Sequence, residues 1–165
     1  MIKPSPLQVR SAVSVLVLAA STLVGLAVHE GYRDTAYIPV PGDVPTIDFG
    51  RTTGVKMGDK SNPVRGLQYL MDEVENVYAA GVKRCVTVPL YPSEYGVYVG
   101  FAYNAGVGNF CGSTMVKYLN AGEYGKACGQ LVRWIYGPNK VVYEGLQKRR
   151  VSDYLECVKD HEGRG

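Results

Sequence analysis

The sequence lacks the residue patterns that hold metals or bind nucleic acids. Its 165 residues include two histidines and four cysteines, with no Cys-x-x-Cys pair and no Cys/His spacing typical of a zinc site. The formal net charge of +3 is modest and forms no basic stripe of the kind that nucleic-acid binding requires. We therefore expect no metal, no cofactor and no nucleic-acid partner.

The chain also lacks internal repeats and low-complexity linkers. The 137 residues from His29 to the end are enough for one hydrophobic core. We therefore expect residues 1–28 to be a separate N-terminal segment, residues 29–165 to form a single domain, and the protein to be a monomer.

One stretch has no charged residue: the 18 residues from Ser11 to Val28. A helix that crosses a bilayer needs about 20 apolar residues, so this stretch is near the lower limit. About half of it is Ala, Ser, Thr or Gly, which predicts weak insertion. Lys3 and Arg10 precede it without an acidic residue, which predicts a cytoplasmic N-terminus and export of the rest of the chain.

Three fates are open for residues 11–28. Gly25 and Ala27 are small residues at a possible signal-peptide cleavage site before Val28. A permanent anchor is the second fate, although such anchors are normally more hydrophobic. We favour the third, a weak signal anchor that leaves the membrane and becomes a helix of the soluble domain, because the same residues fit a buried helix.

The four cysteines agree with an exported chain. An even number of cysteines in an oxidising compartment predicts two disulfides, with three possible connectivities. We expect Cys85 to pair with Cys111 and Cys128 with Cys157. The alternative is buried free thiols, since cysteine is often buried as a small hydrophobic residue.

Local patterns predict an α+β fold. Residues 36–56 contain three prolines, three glycines and alternating apolar positions, which indicates turns and short strands. From residue 61, Ser61 or Asn62 as a cap and helical apolar spacing predict a long amphipathic helix. Ser93 is predicted to cap a buried central helix over residues 94–106.

Three more helices complete the predicted helical lobe. Two short ones are expected at about 113–120 and 122–135, the second ended by Gly137-Pro138. The last is expected at about 145–159, with an apolar face formed by Val151, Tyr154, Leu155 and Val158. The implied architecture is a small β-lobe joined by a long helix to a larger helical lobe, with a polymer-binding cleft between them.

A series of motifs then resembles a known family, the phage-type lysozymes of glycoside hydrolase family 24. In chain order these motifs are Glu30-Gly31, Ala36-Tyr37, Thr46-Ile47-x-Phe49-Gly50-x-Thr52, Phe101-Ala102-Tyr103-Asn104-x-Gly106, Phe110-Cys111-x-Ser113-Thr114, Leu119-Asn120-Ala121-Gly122, Arg133-Trp134 and Gly145-Leu146-x-x-Arg149-Arg150. The series spans nearly the whole chain and is similar to the phage endolysins that carry a signal-anchor-release segment.

The resemblance implies a lysozyme-like fold and a muramidase that lyses the host cell. Its substrate would be the β-1,4 bond between N-acetylmuramic acid and N-acetylglucosamine in peptidoglycan. The protein would first be held in the host inner membrane by residues 11–28, with the helix that carries Glu30 unable to pack, and would therefore be inactive. Release to the periplasm would activate it. A lytic transglycosylase and a noncatalytic peptidoglycan-binding module are the alternatives.

The resemblance also implies catalytic residues. Glu30 matches the general acid, which must stay protonated near neutral pH, and we expect Val28 and Leu26 to supply apolar neighbours that favour its uncharged form. Thr46 matches the threonine that helps to hold the attacking water. We expect an inverting mechanism in which Glu30 protonates the glycosidic oxygen while Asp43 and Thr46 orient the water.

The catalytic aspartate has no direct match, because Pro39 stands at the family's usual position. Asp43 is our choice since it lies in the same turn before Thr46, although turns favour Asp in any case. Asp48 is the rival, because strand alternation would place it on the same face as Thr46. Asp34 is a third choice if the first helix continues beyond Glu30.

Three other residues are expected to bind substrate. Phe49 and Asn104 match residues that line the family's cleft, and Thr114 is a further candidate. Asn104 suits hydrogen bonding to acetamido groups, but an asparagine in a helix also commonly satisfies the backbone.

Overall fold

The computed structural model describes residues 9–136 and 140–161 and divides into two compact units. The first unit is residues 19–77, and the second combines residues 9–18 with the described residues from 78 onward. The helices are α1 (Ala20–Glu30), α2 (Pro63–Glu73), α3 (Ala80–Cys85), α4 (Pro92–Ala105), α5 (Val107–Cys111), α6 (Thr114–Asn120), α7 (Tyr124–Gln130) and α8 (Glu144–Val158). The strands are β1 (Arg33–Tyr37) and β2 (Thr46–Asp48).

The first unit is an antiparallel hairpin with two packed helices. Strands β1 and β2 pair with Arg33 opposite Asp48 and Tyr37 opposite Thr46, and an irregularity lies between these pairs. Ala36, Ile47 and Val55 form its buried cluster. Helix α1 packs against α2. The hairpin thus positions Thr46 and Asp48, and α1 positions Glu30.

The predicted helix from residue 61 is confirmed, and Asn62 is its cap. The Asn62 side chain accepts a hydrogen bond from the Arg65 backbone N–H at 3.0 Å, and Pro63 occupies the first turn. After Glu73 the helix continues as a π-helix over Val74–Ala79 and then as α3. These consecutive turns form the predicted long helix, within which the chain passes from one unit to the other.

The second unit is organised around α4. Almost all of α4 from Ser93 to Ala102 is buried, as predicted. Ser93 is not its cap, however, because the helix already starts at Pro92, a residue suited to a first turn. Its N-cap is Tyr91, whose backbone N–H donates to the Glu94 carboxylate at 2.7 Å, while the Ser93 hydroxyl donates to Asp160.

Both predicted disulfides are present in the second unit. Cys85 at the end of α3 is bonded to Cys111 at the end of α5, and Cys128 in α7 is bonded to Cys157 in α8. The Cα atoms of the two pairs are 5.6 and 5.8 Å apart, within the range typical of disulfides. The alternative of free thiols is therefore wrong.

The apolar face predicted for the last helix is wrong for Val151 and Leu155, whereas Tyr154 and Val158 are half-buried. Val151 and Leu155 are 47% and 60% exposed, whereas Arg150 and Cys157 are buried. Arg150 and Cys157 are seven residues apart and share a helix face, which the disulfide to α7 and the stacking of the Arg150 guanidinium on Phe101 turn inward.

The helix predicted over residues 122–135 is shorter than expected. It consists of α7 followed by a 3₁₀ turn at Leu131–Arg133. Its predicted end at Gly137-Pro138 lies outside the described residues.

The uncharged stretch 11–28 is divided between the two units and is not one helix. Ser11 exchanges two backbone hydrogen bonds of 2.8 Å with Leu90, and Val13 and Leu16 are buried in the second unit. Helix α1 begins only at Ala20, so the predicted helical state is wrong for the first half. Within the described residues, no helix combines the length and apolar composition needed to cross a bilayer.

Arg10 anchors this stretch through a buried carboxylate. Its guanidinium donates to both carboxylate oxygens of Glu94, at 3.1 and 2.7 Å, and lies over the rings of Tyr91 and Tyr124 at 4.2 and 3.6 Å. Glu94 is completely buried, and His161 Nε2 is 2.6 Å from its Oε1. No motif in the sequence predicts this contact of His161.

We predict that Arg10→Met lowers the free energy of unfolding by about 2 kcal/mol, because it removes a cation that partners a buried carboxylate. Urea unfolding followed by circular dichroism measures this loss. Lys148→Met is the matched control: Lys148 pairs with Glu144 at 2.6 Å, but both side chains are more than 70% exposed, and its loss should cost less than about 0.5 kcal/mol. Equal effects of the two substitutions would contradict the prediction.

Candidate active site

Glu30 is the last residue of α1 and is exposed. The helix ends because Gly31 adopts a φ of 70°, which glycine accepts without strain, and its N–H bonds the Ala27 carbonyl at 3.1 Å. Leu26 is buried, as expected, but Val28 is 76% exposed. The expected apolar contact from Val28 is therefore wrong, because residues two apart on a helix face different directions.

Gly50 lies directly beside the Glu30 carboxylate. A Cβ built on Gly50 would be 3.4 Å from Glu30 Oε2, and the φ of 90° at Gly50 is one that residues with side chains rarely adopt. Gly50 is also the first of the residues that line a cleft of about 410 Å³. The lining consists of residues 50–53 with Tyr69, Asp72, Glu73 and Val77. Glu30 is thus next to a wall of this cleft.

Asp43 and Thr46 are fixed by the same residue, Val44. The Asp43 carboxylate accepts a hydrogen bond from the Val44 backbone N–H at 2.8 Å, and the Thr46 hydroxyl donates to the Val44 carbonyl at 3.1 Å. Asp43 is exposed, whereas Thr46 is only 7% exposed. The Thr46 hydroxyl donates its hydrogen bond to the Val44 carbonyl, and its oxygen retains lone pairs that can accept a hydrogen bond from water.

Asp48 has a different environment. It is 2% exposed, and its Oδ2 accepts a hydrogen bond from Arg51 Nε at 3.1 Å. Its φ of 59° is unusual for a residue with a side chain. The regular alternation expected of the strand therefore does not extend to Asp48.

The first helix does not continue beyond Glu30, which was the condition for choosing Asp34. Helix α1 stops at Glu30, and Asp34 lies in β1, where it is exposed and accepts a hydrogen bond from the Thr35 hydroxyl at 3.0 Å. Asp34 is therefore not one helical turn beyond Glu30.

The three predicted substrate-binding residues lie in different units. Phe49 is half-buried in the first unit, with its ring 5.3 Å from that of Tyr32. Asn104 and Thr114 are exposed in the second. The Asn104 side chain accepts a hydrogen bond from Arg150 Nη2, so its carbonyl bonds a side chain and not the helix backbone.

Arg51 is a cleft residue that the sequence analysis missed. Besides its bond to Asp48, Arg51 Nη1 donates to the Thr53 carbonyl at 3.2 Å, and the guanidinium lies 4.1 Å from the ring centre of Tyr69. The only sequence feature that could have suggested it is the three-residue spacing of Asp48 and Arg51. Among residues 9–136 and 140–161, no cluster of three or more His, Cys, Asp or Glu residues could hold a metal ion.

Close packing between Gly66 in α2 and Asp48 yields a prediction. A Cβ on Gly66 would lie 2.9 Å from Asp48 Oδ1 and 3.1 Å from Asp48 Cβ. Gly66→Ala should therefore lower the free energy of unfolding by roughly 1–3 kcal/mol. In an Asp48→Gly background the obstacle is gone, and the same change should stabilise by up to about 1 kcal/mol through helix propensity.

The control for this prediction is Gly25→Ala in α1, where an added Cβ meets nothing within 4 Å. It should stabilise the protein in both backgrounds by about 0.5–1 kcal/mol, as measured by urea unfolding. Equal effects of Gly66→Ala with and without Asp48 would show that the two residues are not coupled.

Comparisons with known proteins agree with this architecture. The sequence model of the family described as phage lysozyme matches residues 27–153. The SAR-endolysin of Pseudomonas phage phiKMV is 36% identical over 144 residues, covering 85% of this chain and 88% of the relative. The SAR-endolysin of Enterobacteria phage P21 is 28% identical over 145 residues, covering 87% of each protein.

Two solved structures share the fold. The endolysin from Escherichia coli O157:H7 phage FAHEc1 is similar with a TM-score of 0.77 at 28% identity, covering 91% of this chain and 96% of that one. A mutant of P22 lysozyme gives a TM-score of 0.77 at 22% identity, covering 87% and 99% of the two chains. The predicted lysozyme-like α+β fold is confirmed.

Proposed function

Because the chain belongs to the phage lysozyme family, we propose that it is an endolysin, a lysozyme-type hydrolase that cleaves bacterial peptidoglycan. Its bond would be the β-1,4 linkage between N-acetylmuramic acid and N-acetylglucosamine. The observation that supports this most directly is the Glu30 carboxylate, which lies beside Gly50 at the wall of a cleft.

Glu30 is the proposed general acid that protonates the leaving glycosidic oxygen. Its carboxyl is exposed in the free protein, so the bound glycan itself would cover it, exclude water and disfavour its charged form. Gly50 has no side chain to occupy the space beside the carboxylate. A sugar ring can therefore approach Glu30 from the cleft.

Asp43 and Thr46 are proposed to orient the attacking water. Both side chains are held by Val44, so one short loop presents a carboxylate and a hydroxyl acceptor together. Inverting glycosidases place the acid and the base roughly 6.5–9.5 Å apart so that a water fits between base and sugar. Asp48 is less suited to this role, because it is buried and engaged with Arg51.

We predict that Glu30→Gln lowers the rate of wall clearing by about 10²–10⁴-fold, because the amide of glutamine is not acidic enough to transfer a proton to the leaving oxygen. Asp43→Asn and Thr46→Val should cause smaller losses in the same assay. The measurement is turbidity of purified peptidoglycan, with product mass determined on the wild-type digest. A hydrated reducing end supports hydrolysis, whereas an anhydro sugar would identify a transglycosylase.

Asp34→Asn is the matched control, because Asp34 is an exposed carboxylate of the same unit, engaged with Thr35. It should clear the wall at the wild-type rate. Normal clearing by Glu30→Gln would refute the acid role. Binding to the wall without any clearing by the wild-type protein would instead indicate a noncatalytic wall-binding module.

We further propose that the enzyme is inactive while residues 11–28 lie in the host inner membrane, and that it acts after release to the periplasm. In the released fold Val13 and Leu16 are buried in one unit and α1 carries Glu30 in the other. If this stretch were inserted in a bilayer, Val13 and Leu16 could not be buried in the second unit, and α1 could not pack in the first. The weak hydrophobicity of the stretch allows it to leave the membrane.

Leu substitutions at Ala19, Ala20, Ser21 and Gly25 should trap the protein in the membrane, because they strengthen insertion. The first three positions are exposed, and a Cβ on Gly25 meets nothing within 4 Å, so the folded enzyme should tolerate them. The measurement is the fraction of protein in membrane and soluble fractions of expressing cells. Gln substitutions at the same positions are the control, and unchanged release of the Leu variant would argue against the proposal.

A further inference from the structure

Among the described residues that line the cleft beside Glu30, one carries a positive charge, Arg51, and its position is fixed. Three contacts fix the position of its guanidinium. Nε donates a hydrogen bond to the Asp48 carboxylate, Nη1 donates to the Thr53 carbonyl, and the guanidinium lies over the ring of Tyr69. Its side chain is 22% exposed, whereas that of Asp48 is 1% exposed. Arg51 is therefore held from its buried side and faces the cleft that it lines.

The charges around Arg51 do not favour an anionic ligand. Asp48 already compensates the guanidinium from behind, and Asp72 and Glu73 line the same cleft. A carboxylate entering the cleft would be repelled by Asp72 and Glu73, whereas the charge of Arg51 that could attract it is already balanced by Asp48. An uncharged acceptor, such as an amide carbonyl, experiences no such repulsion and still accepts strong hydrogen bonds from a guanidinium.

Arg51 retains donors for such an acceptor. A guanidinium carries five N–H groups in a rigid fork. Within the described part of the chain, Nε and Nη1 have hydrogen-bond partners but Nη2 donates to none. Fixing the fork before the ligand arrives reduces the entropy lost on binding.

We propose that Arg51 is a specificity-determining residue that binds the acetamido carbonyl of an N-acetylated sugar, and that Asp48 is its positioning residue. This inference rests on the proposed function, because it assigns the N-acetyl groups of the wall glycan to the cleft beside Glu30. It predicts that the protein distinguishes N-acetylated from unsubstituted glucose polymers through one arginine.

Binding of two trisaccharides to the purified full-length protein tests this directly. Tri-N-acetylchitotriose carries acetamido groups, whereas cellotriose has the same β-1,4 linkage without them and without added charge. Titration followed by NMR amide shifts should show tighter binding of chitotriose to the wild type. Arg51→Met should weaken chitotriose binding roughly tenfold, the equivalent of one hydrogen bond from a charged donor, and should leave cellotriose binding unchanged.

Arg65→Met is the matched control. Arg65 also approaches Tyr69, at 5.8 Å, but it is exposed and is not among the residues that line the cleft. Its replacement should change neither affinity. Asp48→Asn should reduce the ratio of chitotriose to cellotriose affinity while the Arg51 side chain is still present, which loss of folding alone would not do.

Arg51→Met leaves the buried Asp48 carboxylate without its cation and can destabilise the fold. The double variant Asp48→Asn, Arg51→Met removes both charges and should show the same loss of chitotriose selectivity. Equal affinity of the wild type for the two trisaccharides, or an unchanged selectivity in the double variant, would overturn the proposal. Wall clearing by the wild type tests the proposed hydrolase separately, since clearing without chitotriose selectivity would refute only the role of Arg51.

Discussion

A single buried carboxylate connects both ends of the described chain to the central helix. Glu94 is completely buried at the start of α4, a placement that costs several kcal/mol unless the charge is paired and hydrogen-bonded. Arg10 from the N-terminal side and His161 from the C-terminal side both reach it, and the Tyr91 backbone N–H donates to it. These contacts hold residues 9–18 in the second unit. Only the chain from about Ala20 onward remains to build the helix that ends at Glu30.

This division bears on the proposed release, which requires one stretch to suit both a bilayer and a folded protein in water. Leu16 and Leu26 find buried positions, but several valines of the stretch do not: Val15, Val17, Val24 and Val28 are between 57% and 78% exposed. A sequence selected only for the soluble fold has no need of these apolar side chains in water. A sequence selected only for a membrane span has no need of so many small and hydroxylated residues. Such a mixed composition is what the proposed release from the membrane would require.

The sequence predicted correctly those helices that depend on residues adjacent in the chain. The cap at the start of α2 and the apolar sequence of α4 each depend on a few neighbouring residues, and the structure confirms both. The errors arose where distant residues decide. The Cys128–Cys157 disulfide and the stacking of Arg150 on Phe101 fix which face of α8 is buried, and Val151 and Leu155 are therefore exposed. Likewise, Ser11 is hydrogen-bonded to Leu90 and Arg10 is bonded to Glu94. These contacts are between residues distant in sequence, so helical periodicity could not predict them.

The site shows the same contrast at the scale of single residues. Glu30 and Thr46 belong to motifs that can be recognised one position at a time, whereas the Asp48 and Arg51 pair depends on backbone geometry. Asp48 adopts a φ of 59°, and its carboxylate fits only because Gly66 in α2 has no side chain. Gly50 lies beside Glu30, where a Cβ would be 3.4 Å from the carboxylate. Each carboxylate is therefore next to a glycine distant in sequence, and the position of Asp48 depends on that glycine. Glu30 lies beside the cleft, where its proton transfer is proposed, and Asp48 is enclosed behind Arg51, which it holds in place.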